Sequence, residues 1–421
     1  MQGAKGGVAR ASRALSPDRA PSVARRSRPA LTRLSRSLIL KPLTMDILLF
    51  DLDGVLLNSA GYHRSLVETV RQVSRALGFG DRGLAADEIE AFEVRDITAE
   101  WDSSAIVTAL LLVEAWRTDP ERDLPRRPPL QALPMQHAFP DVRAFLTESD
   151  RVADSDPVRR ARSALMQRLD GAPPSQVAAL LSTLEASRSL NESLTFWLLQ
   201  LFNLGSRRFE AVYGLPPGLE TPSYLETYDR PTLNPAETDA LTAWITRGDR
   251  GAAIVTNRPS TSPMGVFNSP EAEIGVQVSW FGHLPVVAAG DLGWRATSRG
   301  LDPQAFLKPS PVHMLAGLLR AMGQDSGSVE TAIRLAHLGE FDAVWKELRD
   351  ARVWLFEDAP KGHTAARLAA QLLAGHGIRL DLTLFGIGTG SERARALEAA
   401  GACVVPDLGT ALDAAIPGWR L

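Results

Sequence analysis

Cysteine is nearly missing from this chain, with one residue, Cys403, in 421. A single thiol excludes an intramolecular disulfide and any zinc site built from several cysteines. Its setting in the apolar run "ACVVP" predicts buried filler rather than a reactive thiol. The seven histidines form no H-x-x-x-H or similar cluster, so no zinc site is expected from them either. No uninterrupted stretch of 18 apolar residues occurs, and no transmembrane helix is expected. An excess of one charge sign is lacking too. At a formal net charge of -3 there is no reason to expect nucleic acid or an anionic membrane as a partner.

What is present is ordinary for a soluble globular protein: 45% hydrophobic and 23% charged residues. The length leaves room for two domains plus extras. Charge is uneven, however. Residues 1–44 carry eight Arg and two Lys against one acid, Asp18. Such a segment buries too little apolar surface to offset its ordering entropy, and is expected to be a disordered basic extension. It has no continuous apolar h-region, so no secretory signal is expected and a cytoplasmic location follows. Its composition is compatible with an organelle transit peptide, but "SPDRAPS" breaks an amphipathic helix early. The simpler expectation is that the folded part begins at Met45.

The stretch "MDILLF" (45–50) is short and apolar without polar alternation, which suits a strand covered on both faces. Similar runs recur at "AAIVT" (252–256), "LPVVAA" (284–289), "RVWLF" (352–356), "LTLFGI" (382–387) and "ACVVP" (402–406). Helical patterns at 309–322, 360–374 and 391–400 alternate with them. That alternation predicts an α/β fold, a Rossmann-like parallel sheet. From about 60 to 245 the alternation stops. Segments 63–79, 103–116, 174–187 and 191–204 have helical spacing, and "DLPRRPPLQALP" (123–134) reads as a loop. A second, smaller helical insertion is expected at about 325–350. The expected division is therefore an α/β core of 45–59 and 246–421 interrupted by a helical domain, 60–245.

In an open parallel sheet, ligands bind beyond the carboxyl ends of the strands. Polar residues there deserve a census. "LLFDLDGVLLN" places Asp51 and Asp53 after the first strand, and "IVTNRPS" places Thr256 and Asn257 after the second. Lys308 stands before a helix in "FLKPSPVHML", and "FEDAPKGHTAA" sets Glu357 and Asp358 after another strand. Each has an ordinary alternative: a turn, a helix cap, a solvated lysine, a charged helix N-terminus. Together and in this order they point to one site.

The ordered set D-L-D-G-V, V-T-N, K-P-x-P and E-D-x-x-x-G resembles the haloacid-dehalogenase-like hydrolase superfamily, in its phosphatase and phosphomutase branch. The resemblance covers 45–59 and roughly 246–421, and implies that the helical stretch is an inserted cap, larger than usual. It further implies a Mg²⁺-dependent phosphatase acting on a small phosphorylated metabolite. Asp51 would be the nucleophile, forming an aspartyl-phosphate. Asp53, on the same side if the strand continues extended, would protonate the leaving oxygen and then activate water. Gly54 would permit the turn between them and the chain beyond. Thr256, Asn257 and Lys308 would bind phosphate, Lys308 also keeping Asp51 ionised. Asp51, Asp358, the Asp53 carbonyl and, directly or through water, Glu357 would hold the metal.

Asp53 favours phosphoryl transfer over dehalogenation, which has no leaving oxygen to protonate. No lysine lies between 54 and 245, which argues against Schiff-base phosphonate cleavage. A sugar phosphomutase, and a non-catalytic descendant that binds a phosphorylated ligand or a protein, remain the alternatives. Tyr62, His63 and Arg64, then Arg95, Trp101 and Asp102, are the cap residues that offer themselves as candidate substrate contacts, but a helix-surface or packing role is the expectation for each. The aromatic cluster "FWLLQLF" (196–202) is expected to pack. Substrate identity and oligomeric state are not legible.

Overall fold

Six of the apolar runs lie side by side in the computed structural model, which describes residues 45–263, 267–324, 327–388 and 390–420. The extension expected to be disordered, 1–44, lies outside the described residues. The strands in chain order are β1 (Asp46–Phe50), β2 (Leu57–Asn58), β3 (Arg230–Pro231), β4 (Arg250–Val255), β5 (Val286–Val287), β6 (Arg352–Glu357), β7 (Asp381–Ile387) and β8 (Cys403–Val405). Six of them form one sheet in the order β5-β4-β1-β6-β7-β8. Every neighbouring pair in it is parallel.

The central strand explains its own sequence. All five residues of β1 are buried. Ile47 and Leu49 face one layer, with Val255, Leu315 and Leu355. Leu48 and Phe50 face the other, with Ile254, Trp244 and Phe356. A strand buried on both faces cannot alternate polar with apolar residues, so its sequence is a continuous apolar run. Phe50 stacks on Phe356 at 5.0 Å between centroids, in register across β1 and β6. At the opposite end of the same two strands, Arg352 grips the Asp46 carboxylate with two nitrogens at 2.7 and 2.8 Å.

Cys403 corrects an expectation: it is exposed. It opens β8, the outermost strand, which is bonded only to β7, so nothing covers that side chain.

After β2 the chain leaves the sheet through nine helices, from Ala60–Leu77 to Tyr224–Tyr228. These bury their own cluster, in which Leu66, Val70, Phe92, Leu110, Phe145, Leu165 and Phe202 meet. The helix Glu100–Trp116 is buried nearly all round because its neighbours pack on several sides. Side chains of Asp141, Asp156 and Ser193 cap three helix starts by accepting backbone N–H groups. The proline-rich stretch 123–134 carries neither helix nor strand. The chain returns through β3, which pairs antiparallel with β2, so outgoing and incoming segments are stitched together. The next helix, Pro235–Ile245, packs Leu241, Trp244 and Ile245 on the sheet. Among the described residues no helix is long and apolar enough to cross a membrane.

Candidate active site

β1 is the pivot of the sheet. β4 and β5 are added on one side of it, and β6 to β8 on the other. In open parallel sheets such a reversal marks where ligands bind, here the carboxyl ends of β4, β1 and β6. Asp51, Thr256, Glu357 and Asp358 all follow or end these strands. Lys308 arrives from the loop before the helix Pro311–Ala321.

Asp51 continues the β1 ladder, its N–H donating to the Phe356 carbonyl at 2.9 Å. Its carboxylate lies 2.9 Å from the Lys308 ammonium, which also sits 2.7 Å from Glu357. The Lys308 side chain is 4% exposed. Burial opposes its charge, but the Asp51 and Glu357 carboxylates outweigh that and raise its pKa. Asp51, Glu357 and Asp358 each offer an oxygen within 4.8 Å of the other two. Burial, then the Asp51 charge, pushes Glu357 well above the usual carboxylate range. The same causes, in the same order, lift Asp358 to about 7, with Arg393 at 3.5 Å in partial compensation. One buried ammonium and a largely exposed guanidinium for three crowded acids leave an all-oxygen cluster short of positive charge. Such a set could hold a metal ion, and its chemistry is that preferred by hard cations.

Gly54 makes the crowding possible. It takes φ 70°, and a Cβ there would stand 2.1 Å from an Asp358 carboxylate oxygen. Gly362 does the same for Glu357, leaving 1.9 Å to a would-be Cβ.

Asp53 departs from the extended geometry expected for it. β1 ends at Phe50, and residues 52–57 close a tight turn in which the Leu56 and Leu57 N–H groups donate to the Leu52 carbonyl. The Asp53 carboxylate therefore finds different partners from Asp51. Arg258 reaches it with Nε at 3.0 Å from both oxygens and Nη2 at 2.5 Å from one, and the Ser59 hydroxyl also donates to it. Burial pushes the Asp53 pKa up, but the Arg258 charge and hydrogen bonds win and hold it below the usual range. Thr256 is buried, its hydroxyl accepting the Arg258 N–H at 3.1 Å, whereas Asn257 is exposed.

Arg258, Asp229 and Glu271 were not singled out in the sequence. Arg258 followed a recognised motif, but arginine is rarely buried and nothing marked it as such. Its side chain is 1% exposed, and Nη2 lies 2.9 Å from the fully buried Asp229 carboxylate. Glu271, also buried, accepts from the Tyr62 hydroxyl at 2.5 Å and from Gln200 at 2.8 Å.

Of the candidate contact residues in the helical stretch, Tyr62 belongs to this network, with the Arg258 guanidinium 4.7 Å above its ring. His63 pairs with Glu93 at 3.0 Å, and that hydrogen bond raises its pKa. Both line a small recess with Glu100, whose pKa burial lifts to about 7. Arg64 lies against the Tyr228 ring, Arg95 pairs with Asp150, and Asp102 bonds Ser187 and Arg188. Trp101 is covered by Arg188. Arg95, Trp101 and Asp102 are thus engaged within the helical layer. In "FWLLQLF" the apolar residues from Trp197 to Phe202 pack as expected, while Gln200 joins Glu271.

No family model and no curated protein matches the chain. Two solved structures do. An X-ray structure of a Northeast Structural Genomics Consortium target is 18% identical, with 89% of this chain and all of that one covered, at a TM-score of 0.49. The phosphatase Tt82 from Thermococcus thioreducens is 12% identical, with 88% and 100% covered, at a TM-score of 0.40. At these values neither likeness bears on activity.

Proposed function

We propose that this chain is a phosphatase of the haloacid-dehalogenase-like kind, hydrolysing a small phosphorylated metabolite through an aspartyl-phosphate on Asp51. The observation that carries the reading is the contact of Lys308 with both Asp51 and Glu357, inside an acid cluster at the strand ends. A group that merely binds phosphate gains nothing from a buried carboxylate aimed at the same place, since like charges repel. A nucleophile gains by it.

The roles in this reading are these. Lys308 keeps Asp51 ionised and neutralises part of the incoming phosphoryl charge. The Thr256 hydroxyl and the Asn257 amide donate to phosphoryl oxygens. Asp51 attacks phosphorus as the bond to the leaving oxygen breaks. Asp53 delivers a proton to that oxygen and later takes one from the water that attacks the aspartyl-phosphate. Mg²⁺, held by Asp51, Asp358, Glu357 and the Asp53 carbonyl, would offset the negative charge that three acids and a phosphate bring together. The helical stretch 60–245 acts as a cap over the core, 45–59 and 246–421, and excludes water.

The test is turnover of p-nitrophenyl phosphate with Mg²⁺, followed by a panel of sugar phosphates, phosphoglycolate, nucleotides and amino-alcohol phosphates. Asp51→Asn is expected to abolish turnover. Equal rates in wild type and variant, or no hydrolysis across the panel, would sink the reading. Sugar-phosphate isomerisation in place of release would redirect it to a mutase.

A further inference from the structure

Arg258 is a buried cation with two carboxylate partners drawn from different parts of the chain. Asp53 comes from the turn after β1, and Asp229 stands immediately before β3. Asp229 also accepts the Gly61 N–H at 2.8 Å, and Ser59 shares Asp53, so both chain crossings between sheet and helical layer tie to one guanidinium. Its third side is used too. Nη1 donates to the Glu271 carbonyl at 3.4 Å, and the Tyr62 ring covers its face. Gly275 makes room, since a Cβ there would lie 2.6 Å from Nη1. A guanidinium held on every side has one orientation. Its fork then fixes the Asp53 carboxylate, which at 34% exposed would otherwise sample several rotamers.

We propose that Arg258, braced by Asp229, is a positioning residue that aims the Asp53 carboxyl for proton transfer. The proposal rests on the phosphatase reading. In the first transfer an Asp51 oxygen bonds to phosphorus, and the phosphorus–leaving-oxygen bond breaks with its electron pair on the leaving oxygen. That oxygen receives a proton that Asp53, ionised at rest beside Arg258, has relayed from water. In the second, water oxygen bonds to phosphorus and its proton goes to Asp53. The bond from phosphorus to Asp51 breaks, and its pair restores the Asp51 carboxylate. Both transfers need Asp53 in one place. Lysine could supply the charge but not the two-armed contact.

p-Nitrophenyl phosphate separates this role from a structural one, because its leaving group departs without a proton whereas the second transfer still needs one. Stopped-flow measurements with Mg²⁺ compare wild type, Arg258→Gln, Arg258→Lys and Asp229→Asn. Arg258→Gln is expected to keep the wild-type rate of the first p-nitrophenolate burst while steady turnover falls by about 100-fold. Arg258→Lys recovers part of the turnover. Asp229→Asn, which has no contact with the reacting atoms, shows the same split more weakly. With an alkyl phosphate, whose leaving oxygen does need a proton, the burst disappears in the variants.

Burst and turnover falling by one common factor, or turnover unchanged, overturn the positioning role and leave the phosphatase reading standing. A wild type that hydrolyses no phosphate ester overturns both. If Arg258→Gln fails to fold, Asp229→Asn decides by the same criterion.

Discussion

Two clusters in this molecule each gather three acidic residues about a buried cation, and they differ in how the acids are paired. Lys308 bridges Asp51 and Glu357, with Asp358 beside them and Arg393 at its rim, whereas Arg258 bridges Asp53 and Asp229 and donates to the Glu271 backbone carbonyl. In the first, the acids crowd within 4.8 Å, and burial with mutual repulsion raises Glu357 and Asp358. In the second, burial raises Asp229 and Glu271 too, but each acid has its own donors: Arg258 and Ser59 for Asp53, Arg258 and the Gly61 N–H for Asp229, Tyr62 and Gln200 for Glu271. Lysine is a point charge and cannot satisfy three acids, whereas the arginine fork can be saturated. A cluster left short of positive charge is suited to receive a cation and a phosphate, and a saturated one is suited to hold its members still.

The comparison can be broken in several ways. The largest effect expected is on chemistry: Asp51→Asn lowers p-nitrophenyl phosphate turnover by on the order of 10⁴-fold or more, measured in the steady state. Removing the cation from each cluster should come next. Arg258→Met leaves Asp229 buried and unpaired, and is expected to cost about 3–5 kcal/mol in denaturant unfolding. Lys308→Met is also destabilising in metal-free buffer, but Mg²⁺ should restore part of its loss and none of that of Arg258→Met. Equal rescue of the two would erase the distinction.

In the wild type, Mg²⁺ at a hundredfold excess over its Kd should add about 2.7 kcal/mol of stability, read as a rise in Tm. Asp358→Asn should blunt that rise, and Glu271→Gln should leave it intact. Tyr62→Phe removes one hydrogen bond from the saturated cluster and is expected to cost only about 1 kcal/mol.

A pH effect lies behind Lys308. His313 is fully buried, and burial together with the Lys308 charge lowers its pKa to about 3 from 6.5. The fold therefore prefers the neutral ring. Its contribution to stability is complete above about pH 6.5 and drains away as pH falls toward about 3. His363, lowered mainly by burial, acts in the same direction. Tm against pH for wild type and His313→Gln should show a shallower acid decline in the variant.

Much of the sheet was legible because burial on both faces writes itself as continuous apolar runs. All six such runs became strands of one parallel sheet. The β2–β3 pair escaped notice because two residues carry no periodicity. The helices Glu271–Val278, Ala289–Thr297 and Leu408–Ala415 are short, and their apolar residues merge with neighbouring strand signals. Cys403 misled because its run is apolar while its strand lies at the sheet edge. Position within a sheet is not a local property.

The same division holds at the site. That acids and a threonine follow apolar strands, and that a lysine precedes a helix, can be read from the sequence, since β-strand ends and turn residues are local chemistry. Only the tertiary structure decided that Asp51 and Asp53, two residues apart, answer to different cations. A six-residue turn aims one at Lys308 and the other at a buried arginine. It also decided that Arg258 meets Asp229 across 29 residues of chain and Asp53 across 205. Hydrogen bonds and Coulomb forces act through a few ångströms of space, and sequence spacing says nothing of such distances until the sheet has closed them.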